Sequence, residues 1–64
     1  MKTFYVYYVD NKGEIVTCRY GIKAKSRLDA IKQLGVEKVY WEGSRPYGVT
    51  FIGSKFKAYA KLQG

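Results

Sequence analysis

Hydrophobic and polar positions along the chain change period twice, and each change marks an element. Met1 to Val9 (MKTFYVYYV) is β-branched and aromatic throughout, a composition that suits a pleated strand better than a helix. Asp10, Asn11, Lys12 and Gly13 form a turn signal, and Glu14 to Tyr20 (EIVTCRY) resumes strand composition. These two strands are expected to form a hairpin. Near Ser26 the period shifts: Leu28, Ile31 and Leu34 recur at helical spacing beside Ala30. Ser26 and Asp29 have capping-box spacing, and Gly35 stands where a left-handed C-terminal cap belongs. A helix of roughly two to three turns is predicted, too short to hold alone and therefore packed on one face of a sheet.

Val36 to Trp41 (VEKVYW) reads as a third strand and Glu42 to Gly48 (EGSRPYG) as a turn-rich loop, with Gly43 and Gly48 as turn glycines. Val49 to Ile52 is a short fourth strand. Gly53 and Ser54 then turn the chain into Phe56 to Leu62 (FKAYAKL), the cleanest alternation in the sequence. The predicted order is β-β-α-β-β-β. It implies one domain over residues 1–64, a small two-layer α+β sandwich with a mostly antiparallel sheet and the helix on one face.

One helix covers one face, so the other is where function is sought. Alternation sends Phe4, Val6, Tyr8, Val16, Cys18, Tyr20, Val39, Trp41, Val49, Phe51, Phe56, Ala58, Ala60 and Leu62 to the helix side. The uncovered face is left with Tyr5, Tyr7, Thr17, Arg19, Lys38, Tyr40, Thr50, Lys57, Tyr59 and Lys61. This set holds four tyrosines, four cations and, apart from Glu42 at a strand end, no carboxylate. Rings interleaved with positive charge can stack bases while cations track phosphates. The same residues are also ordinary on a solvated antiparallel face or at a protein interface.

Composition sharpens that reading. Twelve Lys and Arg against five Asp and Glu give a net charge of +7. A second basic cluster, Lys23, Lys25, Arg27 and Lys32, surrounds the predicted helix start, where free backbone N–H groups favour anions; Lys23, Lys25 and Arg27 would extend the phosphate track. The glycines of the 43–48 segment imitate P-loop spacing, but Val49 and Thr50 occupy the Lys and Ser/Thr places, which excludes that motif.

Several chemistries drop out. The chain has no histidine and one cysteine, which rules out His-based triads, an internal disulfide and a structural zinc site. Cys18 is expected to point inward as a small core residue. Asp10, Glu14, Asp29, Glu37 and Glu42 are scattered over turns, a helix cap and strand ends, with no constellation to assign to acid and base roles. A non-enzymatic protein without metal or cofactor is expected. No run reaches 18 apolar residues and Phe4 to Val9 is too short for a signal-peptide core, so a cytoplasmic location away from membrane is expected.

The stretch Ala24 to Ile31 resembles a strand-to-helix transition found in small α+β modules, including short phage-encoded proteins and HicB-like antitoxin domains; the resemblance implies no particular function. The leading expectation is a binding module for nucleic acid, single-stranded and with little sequence preference. In it Tyr5, Tyr7, Tyr40 and Tyr59 stack on bases while Arg19, Lys38, Lys57 and Lys61 neutralise phosphates. The alternatives are a small phage- or mobile-element-type protein that binds and modulates an acidic host protein, and a homodimer paired through the tyrosine face or the strand edge beside it.

Overall fold

The computed structural model describes residues 1–52 and 54–63. Its elements are β1 (Lys2–Val9), β2 (Ile15–Ala24), α1 (Arg27–Lys32), β3 (Lys38–Glu42), β4 (Arg45–Ile52) and β5 (Ser54–Leu62). The strands form a five-stranded antiparallel sheet in the order β2-β1-β5-β4-β3. The N- and C-terminal strands thus pair near its middle, and α1 lies on the connection that carries the chain from the β2 edge to the β3 edge. Asp10 closes the first hairpin as expected: Oδ1 accepts the Lys12 and Glu14 amides at 2.9 and 3.0 Å.

The capping signals act locally as the sequence predicts. Ser26 Oγ accepts the Asp29 amide at 3.2 Å, and Asp29 Oδ2 accepts the Lys25 amide at 3.3 Å. The helix is only six residues long. Its inner face is carried by Ala30 and Ile31, which belong to one buried cluster with Phe4, Val6, Ala24, Ala58 and Ala60, while Leu34 and Val36 pack at its margin. The sheet positions in that cluster are mostly alanine, and they leave room for a short helix to come close. Gly48 completes this floor. A Cβ there would stand 2.6 Å from Val36 Cγ1 and 2.7 Å from Ile31 Cγ2. Gly48 is therefore a close-approach residue inside β4, and not a turn glycine.

Three features move residues from their expected places. First, β2 runs on to Ala24, through an irregularity at Gly21 (φ 72°): Phe4 pairs with Ile22, but Val6 pairs with Arg19. One extra residue on β2 exchanges the faces of what precedes it. Arg19 and Thr17, expected on the open face, lie opposite Val6 and Tyr8 on the helix side. Cys18 pairs with Tyr7, and Tyr20 stacks on Tyr5, so both lie on the open face. Secondly, a further register shift between Tyr8 and Val9 accommodates Val16, which is half exposed rather than in the core.

Thirdly, the expected 42–48 loop is a hairpin. Gly43 and Ser44 make a two-residue turn, Glu42 pairs with Arg45, and β4 begins four residues earlier than Val49, where the sequence placed it. Pro46 is tolerated because the described β4–β5 ladder begins only at Gly48, so its missing N–H interrupts no pair there. The register places Val49 between Lys57 and Lys38 on the open face and Thr50 opposite Phe56 on the helix side, the reverse of the alternation-based expectation. The Phe51 side chain, expected inward, and Gly53, expected to turn the chain, lie outside the described residues.

Candidate functional site: a tyrosine ladder across the open face

The β1–β5 register opposes Tyr5 to Lys61, Tyr7 to Tyr59 and Val9 to Lys57, all on the face away from α1. From this centre the aromatic row extends both ways. Tyr59 stacks on Tyr47 of β4 with ring centroids 5.5 Å apart, and Tyr47 stacks on Tyr40 of β3 at 5.7 Å. In the other direction Tyr7 lies 5.5 Å from Tyr59 and 6.2 Å from Tyr5, which stacks on Tyr20 of β2 at 5.6 Å. Six of the seven tyrosines therefore form one ladder, Tyr20–Tyr5–Tyr7–Tyr59–Tyr47–Tyr40, that touches every strand of the sheet. Cross-strand neighbours lie about 4.8 Å apart, so rings standing off adjacent strands meet face to face. Each such pair adds about 0.5–1.5 kcal/mol beyond its buried area.

Tyr59 is the keystone. It is 9% exposed on a face that no other element covers, because Tyr7 and Tyr47 flank it and the Arg45 guanidinium sits 4.6 Å above its ring centroid. Its hydroxyl donates to Glu42 Oε1 at 3.3 Å, and Arg45 reaches the same oxygen at 3.6 Å. Burial, then the neighbouring Glu42 carboxylate, raises the Tyr59 hydroxyl above its ordinary value, and Arg45 partly opposes this. On the β4 side, Lys57 Nζ lies 5.4 Å over the Tyr47 ring.

Of the residues singled out in the sequence, Tyr5, Tyr7, Lys38, Tyr40, Lys57, Tyr59 and Lys61 come together on this face. Lys23, paired with Thr3, joins them. Arg19 does not. With Tyr8, Val16, Thr17, Thr50 and Phe56 it borders a groove of about 510 Å³ on the helix side, where α1 does not reach. Lys25 and Arg27 also lie on the helix side, around a shallow cleft with Phe4 and Leu62. The expected phosphate track from Lys23 through Arg27 is thus split between two faces.

Sequence reasoning missed Tyr20, Tyr47, Arg45 and Lys55 as members of this face. Lys55 continues the alternation of Lys57, Tyr59 and Lys61 one step before the expected strand start at Phe56, and two other signals carried the remaining three. A glycine inside a strand pattern marks a bulge, which applies to Gly21, and Gly-Ser between strand-like residues marks a two-residue hairpin turn, which applies to Gly43–Ser44.

Because rings in the ladder press on one another, Tyr5, Tyr7, Tyr59 and Tyr47 offer edges and hydroxyls rather than free faces. Open ring faces remain at the two ends, where Tyr20 and Tyr40 are 67% and 45% exposed. Among the described residues six cations (Lys23, Lys38, Arg45, Lys55, Lys57 and Lys61) accompany the ladder by strand alternation, and the one carboxylate there, Glu42, is paired. Among the described residues no helix is long and apolar enough to cross a membrane, and no cluster of His, Cys, Asp and Glu has the makings of a metal site. Searches against protein-family models, curated proteins and solved structures found nothing that matches this chain.

Proposed function

We propose that the protein is a non-enzymatic module that binds single-stranded nucleic acid, with little sequence preference, on the tyrosine-lysine face. The architecture is read accordingly as a two-layer α+β sandwich whose helix closes one face and leaves the other for the ligand. The observation that carries the reading is the continuous ladder of six tyrosines, bordered by cations and holding one carboxylate that is already paired. Its mode differs from simple stacking on every ring. Bases stack at the ends of the ladder, on Tyr20 and Tyr40, while the inner hydroxyls and Lys23, Lys38, Lys57 and Lys61 meet phosphates along its length. Tyr59, enclosed by its neighbours, is assigned the role of holding the platform together.

Fluorescence-anisotropy titration of labelled single-stranded DNA, single-stranded RNA and duplex DNA over a salt series tests this. Contacts to four to six phosphates predict a log–log salt slope of about −3 to −4, at about −0.7 per phosphate. Tyr40→Ala is expected to weaken binding by about 1–3 kcal/mol at fixed salt. Equal affinity for single strands and duplex, or no loss in a folded Tyr40→Ala protein, would remove the stacking role. The closed inner ring faces also favour a second reading, in which the face docks on an acidic protein surface. Failure of all three nucleic acids to bind at physiological salt would move the assignment there.

A further inference from the structure

The two edges of the sheet are not equivalent. At one edge, β2 is interrupted by register shifts opposite Phe4/Val6 and Tyr8/Val9, and its Gly21 amide is engaged by Gln63 Oε1 at 2.9 Å. Bulges twist an edge away from intermolecular pairing. At the other edge, β3 is in register with β4 from Lys38 to Glu42 without a shift, and its Tyr40 and Trp41 are 45% and 57% exposed. A two-residue turn closes on a hydrogen-bonded pair, here Glu42 with Arg45. Alternation along β3 then directs the Tyr40 N–H and C=O toward β4 and those of Val39 and Trp41 outward.

The sequence of this edge is its own complement. Written against itself in antiparallel sense about Tyr40, Lys38–Val39–Tyr40–Trp41–Glu42 opposes Lys38 to Glu42, Val39 to Trp41 and Tyr40 to Tyr40. We infer that β3 is a homodimer interface, pairing with β3 of a second copy of this chain across a two-fold axis through Tyr40. The outward groups of Val39 and Trp41 meet as hydrogen-bonded pairs on either side of the axis, and Tyr40 meets the partner's Tyr40 at the closer, non-hydrogen-bonded position. Lys38 meets the partner's Glu42 twice by symmetry. On the open face, Arg45 and Tyr59 already hold the Glu42 carboxylate by Oε1. Trp41, exposed on the helix side, covers Val39 of the partner subunit. The pairing turns two five-stranded sheets into one and joins the tyrosine ladders end to end, so a second copy and a base compete for the free face of Tyr40, while the Tyr20 ends stay open. It does not rest on nucleic-acid binding and is tested without it.

Sedimentation equilibrium on nucleic-acid-free protein over a wide concentration range should show a reversible monomer–dimer equilibrium. Lys38→Glu sets carboxylate against carboxylate at both symmetric positions, and Glu42→Lys sets ammonium against ammonium. Each variant alone should dimerise about tenfold or more weakly than the parent, because like charges directly opposite are destabilising. An equimolar mixture of the two should recover the dimer, since every facing pair is then of opposite sign. Circular dichroism verifies that each variant is folded. Should Glu42→Lys fail to fold, Tyr40→Cys in a Cys18→Ser background provides the second measurement. A residue on the axis should cross-link to its own copy on mild oxidation, whereas Lys57→Cys in the same background should not. A parent chain that stays monomeric to its solubility limit overturns the inference, as does a dimer indifferent to Lys38→Glu. So do mixed variants that remain apart and a Tyr40→Cys protein that does not cross-link.

Discussion

Tyr59 joins the aromatic ladder to Glu42, the only carboxylate among the described residues of the open face, so its hydroxyl is where the site's electrostatics can be read. Its raised pKa has a definite consequence for stability. In the unfolded chain the phenol ionises near pH 10, whereas in the folded protein burial and Glu42 keep it neutral to higher pH. Above pH 10 the unfolded state has therefore lost a proton that the folded state retains. The stabilisation is complete below that pH and disappears as pH climbs through the folded value. Tyr59→Phe should cost about 0.5–1.5 kcal/mol at neutral pH, for the bond to Glu42, and should lessen the loss of stability on going from pH 9 to 11. Urea unfolding of both proteins across that range is the check. An unchanged alkaline profile would remove Tyr59 as a source of it. Tyr59 itself was legible in the sequence, since β5 alternates without interruption. Tyr47 and Arg45 were not, because Pro46 beside them reads as a loop until the β4–β5 ladder is seen to begin beyond it.

At the scale of elements, glycines decide what alternation alone does not. Gly48 sets the distance between α1 and the sheet: Ile31 and Val36 occupy the space of its absent side chain. Gly48→Ala forces those side chains aside and should destabilise by about 1–3 kcal/mol, the usual range for overpacking. Chemical denaturation measures the loss, and a cost near zero would mean that the helix is free to shift. Gly21 determines which half of β2 faces which way. Its φ of 72° is one that a side chain tolerates poorly, and nothing lies within 4 Å of a Cβ there, so Gly21→Ala isolates backbone strain from crowding. The expected cost is about 1–2 kcal/mol. The helix was predictable because its signals are local: Ser26, Asp29 and the apolar positions Leu28, Ile31 and Leu34 all lie within residues 26–34. The face of Arg19 was not, because it depends on how β2 aligns with β1, a non-local fact that one inserted residue reverses.

At the scale of the whole molecule, basicity does not select a face. Six Lys and Arg accompany the tyrosine ladder, while Lys2, Arg19, Lys25, Arg27 and Lys32 belong to the other side, so long-range attraction brings a polyanion toward either. The tyrosines are what differ, six against one, and the proposed site rests on that asymmetry rather than on the net charge of +7. Matched pairs of neutralising substitutions separate the two effects. Lys57→Gln with Lys61→Gln removes two cations from the ladder face, and Lys25→Gln with Arg27→Gln removes two from the helix side, leaving both proteins with the same net charge. If single-stranded nucleic acid lies along the ladder, the first pair should reduce the magnitude of the log–log salt slope by about 1.4, two phosphate contacts at about 0.7 each, and the second should leave it nearly unchanged. Equal reductions from both pairs would show an anion atmosphere that follows net charge over the whole surface, and the tyrosine ladder would then be a device for stabilising an uncovered sheet.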